Sequence, residues 1–130
     1  MQAGREIKFR GKPLEDYGDV KWFYGSAVLD YEERLAYIVS PGQGHVPVQW
    51  ESVGQYTGLR DKTDKEIYEG DILGKTSDLS GQTYFYRVEW DHGNARFIAK
   101  RAHYQELVSS SLERCCEVVG NIYEAIQTHR

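Results

Sequence analysis

The stretch Thr83–Arg101, TYFYRVEWDHGNARFIAKR, decides how this chain is read. Tyr84, Tyr86, Val88 and Trp90 alternate with Phe85, Arg87 and Glu89, the period of two by which a strand sends successive side chains to opposite faces. Asp91-His92-Gly93-Asn94 then supplies turn chemistry, with Gly93 and Asn94 suited to positive φ, and ARFIAKR returns as the partner strand. An antiparallel hairpin is the prediction.

Working outward, DILGK ahead of it reads as a short apolar strand, SDLSG as a turn, and CEVVGNIYE as a closing strand. Between Tyr104 and Leu112 the apolar Tyr104, Leu107, Val108 and Leu112 fall at helical spacing, which predicts one short helix. In the first half, REIKFRGKP alternates Ile7 and Phe9 with Glu6, Lys8 and Arg10, a strand with one wet face. EDYGDVKWFYGS mixes turn signals with aromatics. RLAYIVSPG reads as a strand stopped at Pro41, and HVPVQW as an extended segment that Pro47 confines to an edge or bulge.

Composition agrees with strands. Among 130 residues there are 13 Gly, 10 Tyr and 3 Trp against 1 Met, and aromatic side chains suit a pleated surface as Gly suits turns. The net charge of -4 argues against wholesale coating of a polyanion, although local basic patches still count. No apolar run reaches the roughly 18 residues a membrane-spanning helix needs, and no apolar leader opens the chain; a cytoplasmic protein without membrane contact is expected. Cys115 and Cys116 are adjacent, which speaks for reduced thiols rather than a disulfide framework.

The expected fold class is therefore mainly β: small antiparallel sheets, an SH3-like partly open barrel in the C-terminal half, and at most one or two short helices. One domain over 1–130 is expected, with an N-terminal β subdomain at 1–50 and a small C-terminal β-barrel at 51–124.

REIKFRGK, VGQYTGLRDKTDKEIYEGDIL, VEWDHG and EVVGNIYE occur in that order, and together they resemble the YopX family of phage and prophage proteins. The resemblance implies a small β-rich protein and brings no established activity and no catalytic residues. AIQTHR departs from the Asn-Pro continuation usual after GNIYE in that family, and residues 16–50 carry no matching motif.

The densest charge lies in QYTGLRDKTDKEIYEGD, residues Gln55–Asp71, with carboxylates Asp61, Asp64, Glu66, Glu69 and Asp71. A calcium loop begun at Asp61 fails, because its third, fifth and sixth positions are Thr63, Lys65 and Glu66. Asp64, Glu66, Glu69 and Asp71 could serve a two-metal site, yet Lys62 and Lys65 sit among them as on a solvated turn. The economical reading is a hairpin tip whose carboxylates bond their own backbone, with Asp61, Asp64, Glu66 and Asp71 as an interaction surface. His45, His92, His103 and His129 show no metal spacing, and no nucleophile or phosphate-loop motif occurs. No enzyme, cofactor or metal is expected.

For nucleic acid the candidates are Arg5, Lys8 and Arg10, with Lys12, and Arg96, Lys100 and Arg101, near Phe9, Tyr84, Tyr86 and Phe97. A protein partner or self-association is favoured over nucleic acid, since exposed aromatic strips and sheet edges dock chains.

Overall fold

The structure, a computed structural model, describes residues 6–102, 104–109 and 111–124, without the side chain of Leu112. Among the described residues it is mainly β, with two antiparallel sheets and short helical turns that include Trp50–Ser52 and α1 (Leu112–Cys115). The chain divides into two compact units, Met1–Tyr56 and Thr57–Arg130.

The first unit is a curled meander. β1 (Phe9–Gly11), β2 (Phe23–Asp30), β3 (Leu35–Ser40), β4 (Gly44–Val48) and the start of β5 (Gly54–Arg60) lie in the order β4-β3-β2-β1-β5. Its core is Phe23, Ala36, Ile38, Val46 and Val48, backed by Phe9, Leu29 and Trp50. The curl brings the chain after β1 against the far edge: Leu14 N–H donates to the Pro47 carbonyl at 3.0 Å and Gln49 N–H to the Lys12 carbonyl at 2.8 Å. Two glycines permit this. A Cβ on Gly11 would stand 2.8 Å from Val48 Cγ2, and one on Gly25 would stand 2.1 Å from the Val39 carbonyl oxygen.

β2 was not anticipated, because its GSAVLD portion carries no turn-bounded signal. β1 corrects the wet-face reading: Arg10 is 5% exposed while Ile7 is 48% exposed. Arg10 fits there because its guanidinium lies over the Trp22 ring, 4.4 Å from the centroid, so its flat apolar faces are covered by aromatic carbon.

The second unit is built on β7 (Asp71–Thr76), β8 (Thr83–Asp91), β9 (Arg96–Arg101), β10 (Tyr104–Leu107) and β11 (Cys116–Asn121), in the order β10-β9-β8-β7-β11. β6 (Glu66–Tyr68) lies beside the distal part of β5. Ile67, Leu73, Tyr86, Val88, Ala99, Cys116 and Val118 form its core, and burying such an aliphatic side chain stabilises by roughly 1.5–3 kcal/mol. The alternation read from Tyr84 to Trp90 is the one observed, and Trp90 meets Phe97 edge to face at 4.9 Å across the hairpin. At its turn the positive φ falls on Ala95, at 51° in the left-handed region, rather than on Gly93 or Asn94.

The expected helix at Tyr104–Leu112 is corrected. Tyr104–Leu107 is a strand in register with β9, Tyr104 opposite Arg101 and Leu107 opposite Ile98. Pairing with a ready neighbour satisfies more backbone than two isolated helical turns could. Helix begins only at Leu112. The sheet is strongly curled: β10 and β7 are three strand spacings apart, roughly 14 Å if flat, yet Lys75 Nζ and Glu106 Oε1 are 3.4 Å apart. Among the described residues no strand pair closes it into a barrel.

Candidate functional site

The two edges of the second unit's sheet are treated in opposite ways. At β11 two outward groups are taken: Lys62 N–H donates to the Cys116 carbonyl at 2.9 Å, and Val118 N–H donates to Asp61 Oδ2 at 2.7 Å. Asp61 Oδ1 also accepts from Thr63 N–H at 2.8 Å, Thr63 Oγ1 at 2.7 Å and Lys65 N–H at 2.9 Å. Four donors thus converge on this one carboxylate, three at Oδ1 and one at Oδ2, and all but the Thr63 hydroxyl are backbone N–H groups. Burial pushes the Asp61 carboxyl up, but the bonds from Val118, Lys65 and Thr63 outweigh it and hold the group below its ordinary value.

The other carboxylates of the stretch are close by in sequence but do different work. Asp71 is 1% exposed and accepts from Tyr68 N–H at 2.7 Å across the turn at Gly70. Glu66 accepts from the Tyr68 hydroxyl at 2.9 Å and pairs with Arg60 at 3.5 Å. Asp64, at φ 70, lies 3.8 Å from the Arg60 guanidinium on the exposed tip. Among the described residues no group of three or more His, Cys, Asp or Glu is placed to hold a metal ion.

β10 is the other edge. Val108 N–H donates to the Phe97 carbonyl at 3.2 Å, so by alternation Tyr104 and Glu106 face β9, and the N–H and C=O groups of Gln105 and Leu107 point outward. Among the described residues nothing bonds them. Tyr104 and Leu107 are each 50% exposed. Behind the edge, burial disfavours the Lys75 ammonium but the Glu106 carboxylate more than offsets it and raises its pKa. Nothing in the helical reading of Tyr104–Leu112 marked this edge, and Tyr104-Gln105-Glu106-Leu107 carries no period of two that could have.

The basic residues do not line up as they do in sequence. Arg5 lies outside the described residues, as do His103 and His129. Lys8 lies 3.5 Å from Glu6 and 5.4 Å from the Tyr56 ring centroid, and Arg10 is buried. On β9, Arg101 shares the core face with Tyr84 and Tyr86, its guanidinium 4.4 and 5.6 Å from their ring centroids. Arg96 and Lys100 take the opposite face, where Arg96 pairs with Asp91 at 3.3 Å and Lys100 stands across from Arg87, itself bonded to Glu89. Cys115 and Cys116 are free thiols. Burial pushes the Cys116 thiol up to about 12, so it stays protonated.

A family model described as YopX protein matches residues 9–126, nearly the whole described span. The chain belongs to the YopX family. No curated protein matches it. Two of its YopX-resembling blocks meet in the second unit: in VGQYTGLRDKTDKEIYEGDIL, Asp61 is bonded to Val118 of the EVVGNIYE block and Lys62 to Cys116 just before it. Among the described residues no helix is long and apolar enough to cross a membrane.

Proposed function

We propose that this YopX-family chain is a non-catalytic assembly module of the phage or prophage type, working in the cytoplasm of a bacterial host and self-associating along β10. The observation that carries this reading is the contrast between the capped β11 edge and the open β10 edge. An unpaired edge is a template for another strand, and proteins ordinarily cover or charge such edges. A twofold axis at Leu107 would bring the two exposed leucines together and set Glu106 opposite the partner's Val108, away from its own copy.

Sedimentation analysis tests this. A defined dimer is expected, and Leu107→Pro should dissociate it, because proline removes an outward N–H while the bonds of Glu106 and Val108 to β9 remain. A strict monomer at high concentration would sink the proposal. Nucleic-acid contact is the competing reading, supported by the exposed Phe85 beside Arg87 and Lys100. It requires a salt-sensitive shift of a random oligonucleotide that Arg87→Glu with Lys100→Glu weakens.

A further inference from the structure

The first unit's sheet carries apolar side chains on both faces. Ala36, Ile38, Val46 and Val48 make its core. On the opposite face, register places Val28, Tyr37 and Pro47 side by side across β2, β3 and β4, with Val28 45% exposed. A half-buried antiparallel sheet ordinarily turns polar residues to that side. The row runs into a groove of about 370 Å³ whose walls include Leu14, Arg34, Tyr37, Pro47, Trp50 and Glu51. Tyr31 stands edge-on to Trp50 at 5.4 Å and is 73% exposed.

We propose that this groove docks a cationic, proline-rich segment of a partner protein in the polyproline II conformation. Two observations select that occupant. First, the backbone at Pro47 and Gln49 is already bonded to Leu14 and Lys12, so an added strand would find no ladder there. What remains on offer is ring and aliphatic surface, which suits a polyproline helix, because it needs no ladder and presents its rings sideways. Second, the charge is complementary. Glu51 lies in the groove with its side chain 73% exposed, and the exposed Glu32 and Glu33 stand at the β2–β3 turn. Arg34 already shows the fit: its guanidinium lies 5.1 Å from the Trp50 ring centroid and 3.8 Å from Glu51. A partner's arginine would compete for that seat between indole and carboxylate.

The test is calorimetric titration of the full chain with a short synthetic peptide alternating proline and arginine, beside a matched peptide with glycine for proline. Saturable binding is expected, roughly tenfold weaker for the glycine peptide and for the Trp50→Ala protein, and a few-fold tighter for Arg34→Ala. Glu51→Lys, on an exposed side chain, should weaken it about tenfold and keeps the test sound if Trp50→Ala does not fold. Absence of saturable binding would overturn the proposal, as would equal binding of the glycine peptide, which reports charge alone. A dimer abolished by Val28→Asp would also overturn it by giving this face to a second copy. Leu107→Pro should leave the peptide affinity unchanged, so failure of β10 pairing and failure of this groove are separately visible.

Discussion

The two units handle the same problem, a twisted antiparallel sheet with edges, in different ways. In the first, the sheet curls until Lys12 and Leu14 bond the chain at β4, so backbone is spent and side-chain surface is left over. In the second, a loop from far away in sequence covers one edge through Asp61 and Lys62, and the other edge keeps outward backbone groups. The difference teaches that the same architecture can leave different chemistry at its surface: rings and carboxylates in one unit, outward backbone groups in the other.

The comparison can be broken most forcefully at Asp61. Asp61→Ala strands the buried N–H of Val118 together with those of Thr63 and Lys65, which should cost about 4 kcal/mol by urea denaturation, and should speed amide exchange at those residues. If exchange there is unchanged, the edge is not held by this carboxylate. Gly25→Ala is the counterpart in the first unit, where a Cβ meets Val39 backbone; a loss of roughly 3 kcal/mol is expected, with faster exchange confined to β2 and β3. Acid sharpens the contrast at smaller amplitude. Because the folded pKa of Asp61 is lowered, its contribution is fully present above the ordinary value of 3.8 and is lost as pH falls through the lower folded value. Exchange at Val118 should therefore respond to that acid window, and in Asp61→Asn it should not. The smallest effect is chemical: iodoacetamide at mildly alkaline pH should label half-buried Cys115 and spare Cys116, which is 1% exposed and protonated.

Much of the second unit was legible. The alternation from Tyr84 to Trp90, the turn at Asp91 and the returning strand through Phe97 follow from local pattern, because a hairpin is a local object. The tip at Asp61 was recognisable as turn chemistry, but its bond to Val118 joins residues too far apart in sequence for any spacing argument. Tyr104–Leu112 misled because Tyr104, Leu107, Val108 and Leu112 fall at helical spacing, and only the presence of β9 draws Tyr104–Leu107 into a strand. The first unit was harder to read: β2 has no flanking signal, and the wet face expected of Lys8 and Arg10 is covered by aromatic rings supplied from elsewhere.

By itself, then, the sequence determined that the chain is mainly β, where its strongest hairpin lies, and that it is a YopX-family protein. Those properties rest on period, turn residues and ordered blocks, all of which are written along the chain. Tertiary structure alone decided that Asp61 and Lys62 reach β11, that Arg10 is buried, and where Trp50, Tyr37 and Pro47 meet in one groove. Each of those depends on strands curling until distant residues meet, and hydrogen bonds and ring contacts between such residues leave no periodic trace in the sequence.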